Sequence, residues 1–167
     1  MNMPDRSHER ITKSDLRRLG EIAAFDRESL FTRHPRLAVY RERLFAVALC
    51  QGAALHYLDG KNGVKDFDVW SFFRADPART FPYRRNASAD FGDPRFGKSP
   101  DWEHYVGRRV DLLGRSLPVP EDESPVEALQ AYLSSGSTAS ARALAKKAMI
   151  LIYPENQLGQ VVWPVRE

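Results

Sequence analysis

Two carboxylates stand two residues apart in GVKDFDVWSFF (residues 63–73): Asp66 and Asp68, set in a run of otherwise apolar, β-prone residues. Strand interiors disfavour Asp. Side chains two apart on a strand share a face, roughly 6–7 Å from one another. At an effective dielectric near 20 their repulsion is on the order of 2–3 kcal/mol. A fully wet face removes most of that cost, whereas a cation between the two reverses its sign. A third acid, Asp111, interrupts a second apolar run, RRVDLL (residues 108–113). If the two runs are neighbouring strands, three carboxylates converge on one edge of a sheet. Magnesium takes oxygen ligands, commonly one or two carboxylates plus substrate phosphates. A pair of such ions about 3.5–4 Å apart clamps a phosphoryl group in transit.

The elements that must position these acids are legible in outline. LFAVALCQG (44–52) is an apolar run of buried-strand length ending at Gly52. AALHYLDGKNG (53–63) reads as a short helix closed by the turn dipeptides Asp59-Gly60 and Asn62-Gly63. VKDFDVWSFF (64–73) is the clearest strand, with Phe67, Val69 and Ser71 on one face and Asp66, Asp68, Trp70 and Phe72 on the other. In the strand GRRVDLLGRSL (107–117), Val110 and Leu112 oppose Asp111.

Upstream, SDLRRLGEIAAFDRESLF (14–31) predicts a helix capped by Ser14, with Leu16, Leu19, Ile22 and Ala23 as its apolar stripe and Gly20 weakening it locally. HPRLAVYRERL (34–44) predicts a second helix with Pro35 in its first turn. Downstream, SPVEALQAYLSSG (124–136) carries an N-cap Ser124, Pro125 at the first position and Glu127 at the third. STASARALAKKAMIL (137–151) reads as a further helix, and LIYP (151–154) and VVWPV (161–165) as short strands. Strands separated by helices indicate an α/β (α+β) domain with a mixed sheet flanked by helices. The expected organisation is one domain over residues 13–167 behind a flexible tail of residues 1–12.

This order of elements resembles the nucleotidyltransferase superfamily, the DNA polymerase β-like fold. The matching stretches are LCQGAAL, KDFDVW and RRVDLL, within roughly residues 36–115. The resemblance implies that Asp66 and Asp68 hold Mg²⁺, and that Asp111 holds metal or accepts the proton of the attacking group. Gly52 would then let backbone approach the phosphates of a nucleoside triphosphate. The implied reaction transfers a nucleoside monophosphate to an acceptor, whether small molecule, RNA or protein, with release of pyrophosphate. Ala53 stands where the superfamily usually has Gly or Ser, so a hydroxyl contact to phosphate is missing, although N–H groups at the helix start still suit an anion. The interval from Gly52 to Asp66 is also slightly long, leaving the Gly60–Gly63 turn to absorb the excess. The same residues therefore fit a second reading, a catalytically degenerate relative that binds nucleotide or RNA. A metal-dependent nuclease finds only Asp59-Gly60-Lys61, in a turn where the lysine cannot flank a strand-borne metal.

From Arg74 to about Tyr105 the chain is rich in Pro, Gly, Arg and aromatics with no clear period. Within it Arg84 and Arg85 are candidate triphosphate ligands, and the interleaved aromatics suit either base stacking or anchoring of the loop to the core. Lys146, with Lys147 beside it, is a further candidate for phosphate, set against ordinary capping by Ser134, Ser135, Ser137 and Thr138 and a solvated lysine face. Arg108 and Arg109 precede Asp111, where one can pair with an acid instead of substrate. His56 reads as structural, and Cys50 as core packing. The net charge of +3 gives only a weak argument for nucleic acid. The single cysteine excludes an intrachain disulfide and a thiolate zinc cluster and fits a reducing cytoplasm. The polar N-terminus has no apolar signal-like stretch, and no apolar run approaches the roughly 20 residues of a membrane span.

Overall fold

A computed structural model describes residues 6–81, 85–100 and 102–165, with the backbone alone for 85 and 86. One six-stranded mixed sheet runs through it. Its strands are β1 (Leu44–Cys50), β2 (Phe67–Arg74), β3 (Arg85–Asp90), β4 (Arg109–Leu117), β5 (Met149–Tyr153) and β6 (Val161–Trp163), in spatial order β3-β4-β2-β1-β5-β6. Only the β2–β4 pair is parallel. β1 and β2 sit in the middle, buried almost along their whole length, which is why both read as near-continuous apolar runs.

Helices cover both faces. The helix α1 (Lys13–Arg33) places Leu16, Leu19 and Ala23 on one face, together with Ala53 and Ala54 of α2 (Gln51–Asp59) and with Val47, Leu49, Phe67, Val69, Val110 and Leu112 of the sheet. The opposite face joins Ala48, Cys50, Trp70 and Phe72 to Ala128, Leu129 and Leu133 of α3 (Pro125–Ser135) and Leu144 of α4 (Ala139–Leu144). The alternation expected of β2 and β4 is what divides these two layers. No helix among the described residues is long and apolar enough to cross a membrane.

Several local expectations are corrected. The cap of α1 is Thr12 and not Ser14: Asp15 donates its N–H to Thr12 Oγ1 (3.2 Å) while Thr12 N–H reaches Asp15 Oδ2 (2.7 Å). That reciprocal box satisfies two orphan donors at once, which Ser14 cannot do. Gly20 does not break the helix, because α1 crosses β5 there and a Cβ would lie 2.9 Å from Ile152 Cγ2. Residues 35–42 form a 3₁₀ helix. The helix expected over 137–151 stops at Leu144, and Met149 onward is the strand β5. A short apolar run is compatible with either state, and here burial between β1 and β6 selects the strand. Inside the stretch expected to be irregular, residues 85–90 form the edge strand β3.

Within the expected tail, Ser7, Glu9 and Ile11 are held against the body of the protein. Ser7 and Val64 exchange backbone hydrogen bonds of 2.8 and 2.6 Å, Ile11 is buried, and the Glu9 carbonyl accepts from His56 Nε2 at 2.8 Å.

A candidate metal centre at the sheet edge

Asp68 pairs with Asp111 across the parallel β2–β4 ladder and with Cys50 at the end of β1. Because β2 and β4 are parallel and in this register, both acids project from the same end and the same face of the sheet. Asp66 lies just before β2. Carboxylate oxygens of Asp66, Asp68 and Asp111 all come within 4.8 Å of one another. At that separation each ionised pair repels by about 3 kcal/mol at an effective dielectric of 20. The third acid thus adds to the tension already implied by the first two.

The electrostatics follow. Burial, then Asp66 and Asp111, push the Asp68 carboxyl up to about 7, against the opposing pull of Lys147 and Arg109. Burial and then Asp111 raise Asp66, opposed by Lys65, Arg109 and Arg6. Asp111 is held: Arg109 Nε donates to its Oδ1 at 2.6 Å, and the same guanidinium lies 4.7 Å over the Trp102 ring. Arg109 therefore pairs with an acid, and Arg108 is buried, its Nε donating to the Phe96 carbonyl. Three oxygen donors in one half-buried cluster match a hard divalent cation. Asp68 holds its proton more tightly than an ordinary carboxyl because it is buried first and flanked by two acids second, and Lys147 and Arg109 offset this only in part.

The strand-to-helix turn stands beside these acids. Gln51 follows Cys50 with φ +64, and its N–H bonds the Ala148 carbonyl (3.1 Å). Cys50, at the N-cap, offers no side-chain bond to α2. At Gly52 a Cβ would lie 3.2 Å from Asn62 Nδ2, 3.6 Å from Arg6 Nη1 and 3.9 Å from Lys147 Nζ. The absent side chain is thus what leaves the backbone open among three donors. The Gly60–Gly63 turn carries Asn62 back to this point, its Nδ2 donating to the Gly52 carbonyl (3.1 Å). His56 is wholly buried and anchors that turn, its Nδ1 accepting from Gly63 N–H at 3.1 Å.

Of the residues singled out from sequence, Asp66, Asp68 and Asp111 meet, and Gly52 stands at the turn beside them. Ala53 turns into the core, 3% exposed. Lys146 is exposed in the turn after α4, and its neighbour Lys147 is the lysine acting on Asp68 and Gly52. Arg84 and the Arg85 side chain lie outside the described residues. The loop aromatics Phe81, Phe91 and Phe96 are buried, anchoring the segment, and Arg95 pairs with Asp15 and Glu9. Sequence reasoning missed Arg6 and Gln51, and set Lys147, like Lys146, against a solvated lysine face. Arg6 lay in the expected tail, and Gln51 differs from an ordinary polar residue only by where the backbone carries it.

No protein-family model matches this chain, and no curated protein or solved structure matches it either. The geometry of the site therefore carries the functional reading by itself.

Proposed function

We propose that this chain is a nucleotidyltransferase-like protein that transfers a nucleoside monophosphate from a nucleoside triphosphate to an acceptor hydroxyl or amine, with Mg²⁺ held by Asp66, Asp68 and Asp111. The observation carrying this reading is the meeting of three carboxylates from separate segments, within 4.8 Å, beside a strand–Gly–helix turn.

Magnesium in such a site neutralises charge on the phosphates and on the departing pyrophosphate. The chain's own groups do the remainder. Gly52 leaves room for a phosphate against the start of α2, where Arg6 and Lys147 supply positive charge. Arg109 fixes the third carboxylate through Oδ1, which leaves Asp111 Oδ2 as the oxygen that completes the metal site or takes the proton from the acceptor. The acceptor oxygen or nitrogen then bonds to the α-phosphorus as its bond to the bridging oxygen breaks, and pyrophosphate leaves.

One observation favours the second reading, nucleotide or RNA binding without chemistry: Ala53 is buried in the core and presents no hydroxyl at the helix start. Two measurements separate the readings. Calorimetric titration with magnesium and each of the four nucleoside triphosphates gives binding that Asp68→Asn abolishes while circular dichroism is unchanged. Equal affinity in that variant and the parent refutes both readings. Incubation with α-³²P-labelled triphosphates and cell extract then gives a labelled product for the enzyme and none for the binding protein.

A further inference from the structure

A cleft of about 470 Å³ opens on the acid-bearing face of the sheet, within the size range of small-molecule sites. Trp70 and Leu113 form its floor, and Ala139, Ser140 and Ala143 of α4 its roof. Asp68 and Gln51 also line it. Asp68 is its one charged lining residue, Gln51 and Ser140 are polar, and the rest of the lining is apolar.

Gln51 is the one non-glycine residue with positive φ among those described, at +64. Such a conformation favours glycine and strains other residues by roughly 1–2 kcal/mol. Its side-chain amide makes no hydrogen bond with any described residue, yet it lines the cleft next to Asp68. A strained backbone that presents an unused donor–acceptor group to a cavity has no packing role to explain it.

We propose that Gln51 is a substrate-contacting residue, whose amide hydrogen-bonds the nucleoside part of a triphosphate lying in this cleft. The inference rests on the triphosphate reading above and assigns the other half of that ligand. Phosphates gathered at Asp68 leave the neutral, largely planar nucleoside to extend along the same face beneath α4. A slot floored by an indole, with Asp68 its one charged residue, suits it, and the Gln51 amide in its lining can donate and accept at once.

The test compares magnesium tripolyphosphate with the four magnesium–nucleoside triphosphates by calorimetry. The parent binds its preferred nucleoside triphosphate at least about tenfold more tightly than tripolyphosphate. Gln51→Gly lowers that preference about three- to tenfold, the range of one neutral hydrogen bond, and leaves tripolyphosphate affinity unchanged. Because glycine is at ease at this φ, the variant melts at or above the parent temperature, so a loss of binding is not a loss of fold. Ala143→Trp, at an exposed position of α4, fills the cleft and removes the preference altogether, and Ala143→Leu lowers it in part. The inference is overturned if Gln51→Gly retains the full preference, or weakens tripolyphosphate equally, while Asp68→Asn abolishes binding of both ligands. Absence of binding of either ligand by the parent overturns the triphosphate reading together with it.

Discussion

Removing the charge of Asp68 in metal-free protein should remove most of the stability that the parent loses through this group as pH rises. In the folded chain this carboxyl titrates near 7, against an ordinary value of 3.8. Below 3.8 it is protonated both folded and unfolded and costs nothing. As pH rises from there, the unfolded chain releases the proton and the folded chain keeps it, so stability falls until the folded group also ionises near 7. At about 1.4 kcal/mol per decade of acidity, the full loss is about 4 kcal/mol. About 3 kcal/mol of it falls between pH 5 and 8, or a drop of roughly 6–12 °C in Tm for a chain of this size.

The difference between parent and variant isolates the site, because groups common to both, the four histidines included, cancel in it. The carboxyls of Asp59 and Asp90 are shifted downward and complete their titration at lower pH, and burial holds the Cys50 thiol protonated in the folded state well above pH 8. Asp66 is shifted in the same direction as Asp68 and is part of the same cluster. The assay is urea unfolding in EDTA at half-unit steps from pH 5 to 8, for the parent and Asp68→Asn. The parent loses about 3 kcal/mol more than the variant across that range. Adding 10 mM MgCl₂ restores the parent at pH 8 and has little effect at pH 5, where protons compete for the same oxygens. Parallel pH profiles for the two proteins in EDTA would refute the claim that crowded, half-buried carboxylates set this dependence.

Two further perturbations probe the frame around the site. His56→Ala leaves the Gly63 N–H and the Glu9 carbonyl without their partner in a buried setting, and should cost about 2–4 kcal/mol in urea unfolding. It should also speed limited proteolysis near residues 6–12, and unaltered cleavage there would show that His56 does not hold this segment. Gly107→Ala would drive a Cβ into the carbonyl oxygen of Asp93, a backbone atom and not the end of a flexible side chain. It is expected to cost about 3 kcal/mol, and a Tm within about 1 °C of the parent would contradict so close an approach of the two backbones.

The sheet's central strands were legible because their signals are redundant. LFAVALC and FDVWSFF are too apolar and β-prone to be anything but buried strands, and the position of Gly52 marked the turn that follows. The cap Ser124 and the helix it starts were equally plain. The edge strand β3 was not, since RNASAD is made of small and polar residues that extend there only because β4 offers a partner. The break between α4 and β5 was hidden for a related reason: AKKAMIL satisfies a helix locally, and the vacancy between β1 and β6 is a property of the whole sheet.

For the site, the sequence by itself determined which acids were anomalous, since Asp66, Asp68 and Asp111 each break an apolar pattern that nothing local explains. Tertiary structure decided that they share one place, through the parallel register of β2 with β4 that sets Asp68 against Asp111. It also decided which polar groups attend them. Arg6 arrives through the Ser7–Val64 pairing, Lys147 through the turn into β5, and Gln51 through a backbone angle that no side-chain type announces. Composition and period report what a residue prefers, whereas register and crossover geometry fix where charges meet, and those are settled only by the packing of the sheet as a whole.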